Sequence, residues 1–118
     1  MSYVDGFVLP VPKDKVEDYI QIATKAGEVW REHGALEYRE CVAEDVKSGE
    51  LTSFPQSVIA KDDETVIFAW IVYESRAERD RINAKVMEDP RIKDTEEDMM
   101  PFDHKRMIFG GFEVAVEA

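Results

Sequence analysis

The chain has 118 residues, 44% of them apolar and 35% charged, enough for one domain (residues 1–118) with a real hydrophobic core. Its 26 acidic and 15 basic side chains give a formal charge of −11, which repels phosphate backbones and anionic lipid and argues against nucleic-acid or membrane-surface partners. The single cysteine, Cys41, excludes an internal disulfide; with no secretory-type leader and no apolar run near the roughly 20 residues of a bilayer span, the chain reads as a soluble protein of the reducing cytoplasm.

Tyr3 to Leu9 reads as a first strand, closed by Pro10 and Pro12, which cannot donate to a ladder. A helix follows to about residue 33, with Val16, Ile20, Ala23, Gly27 and Trp30 recurring at helical spacing as one apolar stripe. Gly27 costs about 1 kcal/mol against alanine inside a helix, so a close approach of backbone to sheet is the expected reason for it. Gly34 is placed to cap that helix in a left-handed conformation. Ala35 to Ala43 reads as a second strand, with Leu36, Tyr38 and Glu40 alternating against Glu37, Arg39 and Cys41. From Glu44 to Asp63 no period is visible, although Leu51, Phe54, Val58 and Ile59 suggest that part of the stretch folds back on the core.

Thr65 to Tyr73 is the longest apolar run and is rich in β-branched and aromatic residues, so it is the expected central strand. It does not alternate with polar residues: Val66, Phe68, Trp70 and Val72 fall on one face, Ile67, Ala69, Ile71 and Tyr73 on the other, and both faces must be covered. Ser75 and Glu78 form a capping-box signature for a second helix that carries Ala77, Ile82, Val86 and Met87 inward and stops at Asp89-Pro90. An acidic connection from Thr95 to Asp103, containing Met99 and Met100, leads to a last strand from Arg106 to Val116, interrupted by Gly110-Gly111.

The order strand–helix–strand, repeated, with right-handed crossovers, gives an α+β, ferredoxin-like βαββαβ fold: a four-stranded antiparallel sheet with two helices on one face. Two helices cover only one face of a two-sided strand, so a second copy of the sheet is the economical cover for the other. A two-fold homodimer through sheet faces is therefore expected.

Five blocks resemble the YbaA-like family, a bacterial family of unknown function in the dimeric α/β-barrel superfamily: Tyr3 to Val8, His33 to Tyr38, Asn83 to Arg91, Met100 to Asp103 and Lys105 to Phe112. The resemblance spans essentially the whole chain. It implies the same fold and a dimer joined through sheet faces, and it brings no catalytic residues. The wider superfamily includes cofactor-independent monooxygenases, heme-handling enzymes and small stress-response proteins.

Nothing matches a phosphate-binding glycine loop, a nucleophile triad or a zinc motif, and no cofactor is implied. Two histidines without a spaced carboxylate make a weak metal signal, and no metal site is expected. His33, in the last turn of helix one, reads as an acid–base group, as an iron ligand at a pocket mouth, or as a surface histidine favoured by the helix dipole. Asp5, inside an apolar strand, is a general base or a structural acceptor. Trp30, Trp70, Tyr38 and Phe112 could line an aromatic cavity or be plain core. Gly6 and Gly110-Gly111 mark either a bulge or a hollow, and Cys41 reads as a small core or interface residue. A pocket bounded by the end of helix one, the Met100–Asp103 loop and the hollow is the expected site. Asp5, Trp30, His33, Trp70, Phe102, Asp103, His104 and Arg106 are its candidate residues. The function this supports is a small-molecule-binding dimer, non-catalytic or stress-related; the alternative is a cofactor-independent monooxygenase- or isomerase-like enzyme acting on a small organic substrate.

Overall fold

The long apolar strand lies at the centre of the sheet. The computed structural model describes residues 2–95 and 100–118, so residues 96–99 of the acidic connection, Met99 among them, lie outside the described residues. In chain order the elements are β1 (Tyr3–Pro12), α1 (Val16–Glu32), β2 (Glu37–Val42), a single turn α2 (Phe54–Ser57), β3 (Glu64–Tyr73), α3 (Arg76–Glu88), a single turn α4 (Pro90–Lys93) and β4 (Ile108–Glu113). Short 3₁₀ turns occupy Lys13–Lys15 and His104–Arg106. The strands run β2-β3-β1-β4, every pair antiparallel, as the ferredoxin-like reading requires.

β1 does not stop at Leu9 but continues through both prolines, pairing with β3 as far as Pro12↔Glu64. Its ladder with β4 ends at Val8↔Ile108, so beyond that point one edge of β1 needs no donor, and proline is tolerated there. Pairing across Gly6↔Gly110 and Asp5↔Gly111 is continuous, so the glycines interrupt nothing in the ladder. Ser75 caps α3 by accepting from the Glu78 backbone N–H at 3.1 Å, while the Glu78 carboxylate turns to Arg81. Asp89 ends α3 and caps α4, whose first residue is Pro90. Gly34, with φ of 121°, closes α1.

The helix-covered face of β3 meets different partners along its length. Ile67 and Ala69 cluster with Leu9 and Val11 of β1 and with Tyr19 and Ala23 of α1. Ile71 and Tyr73 cluster with Val29 of α1 and with Ile82 and Val86 of α3. Each of these large side chains contributes about 2 kcal/mol by leaving water. Tyr19 replaces Ile20 as the inward residue of its turn, and Ala77 and Met87 of α3 are exposed rather than buried.

On the opposite face, Val8 and Val66 are covered by Val58, and Phe54 of α2 meets Phe68 edge-on at 5.7 Å. The irregular stretch thus folds back through Phe54 and Val58, but Leu51 and Ile59 point to solvent. Phe68, Ile108 and Phe112 share this face and remain exposed, Phe112 by 64%. Cys41 lies across from Phe68 and is exposed, which rules out a core position.

Arg106 fastens the returning segment. It makes two bonds to the Glu64 carboxylate, at 2.7 and 2.8 Å, one to Asp103 at 3.0 Å and one to the Ile59 carbonyl at 2.9 Å. The guanidinium holds the Glu64 carboxyl below the usual carboxylate range. Its contribution to stability is therefore complete above the unfolded carboxyl's titration and is lost as pH falls through the lowered folded value. Ile59, whose carbonyl is held this way, has φ of 52°, a conformation that costs a β-branched residue about 1–3 kcal/mol. Its side chain is 74% exposed, so little burial is lost by replacing it. Ile59→Asn is expected to stabilise the protein by about 1 kcal/mol, seen as a higher thermal midpoint; a lower midpoint would show that the Ile59 side chain is held by contacts the strain does not outweigh.

Candidate functional site

Between the α1/α3 face of the sheet and those helices lies a cavity of about 800 Å³. Its walls are mainly apolar, with Phe7, Leu9, Ala23, Trp30, Ile71, Phe102 and Phe109 among them. Gly110 and Gly111 of β4 border it, Gly111 on the helix side of the sheet and Gly110, opposite Gly6, on the other side with Phe112. At Gly111 an added Cβ would lie 2.8 Å from Cε2 of Tyr3, so the close approach of that ring requires glycine.

Two polar nodes enter the cavity. The first joins β1, β3 and α3. Asp5, 7% exposed, accepts from Arg79 Nη1 at 3.0 Å, and Arg79 also lies 5.0 Å above the Tyr3 ring. Arg79 Nε is 2.9 Å from Asp80 Oδ1, but the angle makes this an ion pair without a hydrogen bond. Beside it, Asn83 Oδ1 accepts from Trp30 Nε1 at 3.0 Å and from the Tyr73 hydroxyl at 3.2 Å. Two donors on one oxygen fix the orientation of the Asn83 amide. Burial, and then the negative charge of Asp5, push the Tyr73 hydroxyl upward, so it stays a donor.

The second node is the Glu40 carboxylate on β2. The Tyr19 hydroxyl donates to one of its oxygens and the Tyr38 hydroxyl to the other, at 2.6 Å for Tyr38. Burial, followed by the charge of Glu40, raises both tyrosines, so both remain protonated donors. Tyr19 meets Phe102 edge-on at 5.8 Å, and Tyr38 lies 6.0 Å from Trp30.

Of the residues singled out from sequence, Asp5, Trp30, Trp70, Phe102 and His104 border the cavity, whereas His33, Asp103 and Arg106 do not. His33 Nε2 is 3.0 Å from Asp89 Oδ2 at the end of α1. Arg91, and then His33, hold the Asp89 carboxyl below its ordinary range. Arg106 and Asp103 are engaged in the clamp on Glu64. Trp70 borders the cavity, yet its register, its tilted contact with Phe68 at 5.5 Å and its bond to Glu37 at 3.1 Å place the indole on the opposite face. His104 lies 4.3 Å from Phe102, ring to ring. Among the described residues no group of three His, Cys, Asp or Glu side chains is placed to hold a metal ion.

Tyr19, Glu40, Tyr73, Arg79 and Asn83 escaped the sequence reading. Glu40 carried a signal, since it shares the inward alternation of Tyr38 on β2. Arg79 and Asn83 are spaced to share one face of α3, beside Ile82 and Val86. Tyr19 belongs with Ile22, Ala26 and Val29 to the residues that widen the apolar stripe of helix one, a pattern that signals burial but not the bond from its hydroxyl to Glu40.

A family model described as "Protein of unknown function (DUF1428)" matches residues 2–104. The uncharacterized protein YbaA of Escherichia coli (strain K12) is 50% identical over 117 residues, covering 99% of both chains. Among solved structures, a dimeric ferredoxin-like protein from an uncultured marine organism superposes with a TM-score of 0.66 at 11% identity, covering all of both chains. A Nitrosomonas europaea protein assigned as an antibiotic biosynthesis monooxygenase gives 0.56 at 17% identity, over 97% of this chain and 90% of its own. At these identities the two structures speak for the fold.

Gly27 explains how Tyr38 reaches Glu40: a Cβ there would lie 2.7 Å from Cδ1 of the Tyr38 ring. Gly27→Ala should gain about 1 kcal/mol of helix propensity and lose more through overpacking. The expected result is a net loss of about 1 kcal/mol, read from the urea midpoint; a gain would mean that the ring moves aside freely.

Proposed function

We propose that this chain, which belongs to the DUF1428 family of proteins of unknown function, binds a small and mainly apolar organic molecule in the cavity between its sheet and helices. The cavity carries the proposal: its volume of about 800 Å³ suits such a ligand, and its walls are aromatic and aliphatic with few convergent polar groups. The role is binding rather than turnover. Proton-transfer chemistry on a bound substrate needs a general base, most often a histidine or a carboxylate, free to take the proton. Here Asp5 already accepts from Arg79, and Glu40 from two tyrosines. The likeness in fold to a monooxygenase keeps the enzymatic alternative in view, but no residue correspondence accompanies it.

The working unit is a homodimer joined through the face that carries Phe68, Ile108 and Phe112, in the reducing cytoplasm. Three exposed large apolar side chains on one sheet face support that interface, as does the dimeric state of a similar structure. No helix among the described residues is long and apolar enough to cross a membrane.

The two tryptophans separate the two ideas, because Trp30 borders the cavity while the Trp70 indole is on the interface side. Titration with small aromatic compounds at millimolar concentration should shift the Trp30 indole N–H resonance. If no compound moves it, the cavity is not a binding site. Phe112→Asp should give a single-chain mass by sedimentation at micromolar concentration, against a doubled mass for the parent; an unchanged dimer would place the interface elsewhere.

A further inference from the structure

The proposed cavity site is uneven in charge, and the imbalance identifies a class of ligand. The cations bordering it are mostly engaged: Arg79 with Asp5 and Asp80, Arg91 with Asp89 and Glu32, Arg39 with Glu37. Lys25 also borders it, from an exposed position on α1. Glu40 differs from the other acids of the site. It is part-buried, its two oxygens are held by neutral tyrosine hydroxyls, and no cation among the described residues pairs with it. A carboxylate withdrawn from water without a cation is costly, and a ligand that supplies the cation removes the cost.

What surrounds Glu40 points the same way. Tyr19 and Tyr38 hold the carboxylate, Phe102 stands edge-on to Tyr19, and Trp30 lies beside Tyr38. Aromatic faces around a carboxylate attract an organic ammonium through their quadrupoles as well as through the charge. The tyrosine hydroxyls fix the anion among these rings, so the recognition elements are held in place before a ligand arrives.

We propose that the ligand is an aryl- or alkyl-substituted amine, its protonated nitrogen seated against Glu40 and its apolar body between Phe102, Trp30 and Phe7. This rests on the cavity being a binding site, and it adds the charge of what binds there. The Glu40 carboxylate is the specificity determinant, and the two tyrosines position it.

Three probes with one aromatic body separate the possibilities: 2-phenylethylamine, 2-phenylethanol and 3-phenylpropanoate, each titrated against the full chain while the Trp30 indole resonance is followed. The amine should bind about tenfold more tightly than the alcohol, as expected for a charge-assisted contact, with the carboxylate weakest. Glu40→Gln should abolish the preference for the amine while leaving the alcohol's affinity within about twofold. Glu37→Gln, on the opposite face, should change neither. Equal or tighter binding of the alcohol or the carboxylate overturns the inference and leaves the cavity proposal intact, as does an amine preference that survives in a folded Glu40→Gln variant. Failure of all three probes to move Trp30 overturns both. Should Glu40→Gln fail to fold, the ranking of the three probes on the parent chain still decides.

Discussion

A strand that is apolar on both faces has to be covered twice, and the fold follows from that constraint on β3. One face is covered from within the chain by α1 and α3, through Ile67, Ala69, Ile71 and Tyr73. The other is covered in part by Val58 and Phe54, which the irregular stretch between β2 and β3 returns to it. The Arg106 guanidinium fixes that return by joining the Ile59 carbonyl, the start of β3 and the turn before β4. The strained backbone at Ile59 is the local cost of bringing a long connection back over a sheet.

The cavity comes from the same geometry. Two helices over a twisted sheet leave a space that is filled only if large side chains project from every strand. Gly111 projects none and admits the Tyr3 ring instead, and the aromatic side chains around the space are held at its walls by their polar ends. Trp30 and Tyr73 are tied to Asn83, and Tyr19 and Tyr38 to Glu40. A buried hydroxyl or indole N–H without an acceptor would be penalised. The bonds that satisfy these groups therefore also keep the rings from collapsing into the space. Gly27 belongs to this arrangement, because its missing side chain is what lets Tyr38 lie close to α1.

Arginine serves two purposes here, and the partners decide which. Arg106 spends its donors on Glu64, Asp103 and Ile59 and ties three segments together. Arg79 neutralises Asp5 and stacks on Tyr3 at the cavity end of α3. Sequence offered Arg106 as a pocket candidate, but spacing along a chain does not reveal that a carboxylate forty-two residues earlier is its partner.

The sequence by itself determined the element order, the two-sided central strand, the caps at Ser75 and Gly34, the reason for Gly27 and hence the ferredoxin-like sheet. Each of these depends on local periodicity or on one residue's backbone preference, which neighbours in sequence reveal. Tertiary structure alone decided that β1 runs through its prolines, because that depends on where β4 ends beside it. It also decided that Trp30 faces the cavity while the Trp70 indole does not, and that His33 is paired with Asp89 away from that space. Above all it decided the environment of Glu40, whose meaning comes from two tyrosines on different elements and from the cations that packing engages elsewhere. Charge balance in a cavity is a property of three-dimensional neighbours, and no spacing within one strand or helix encodes it.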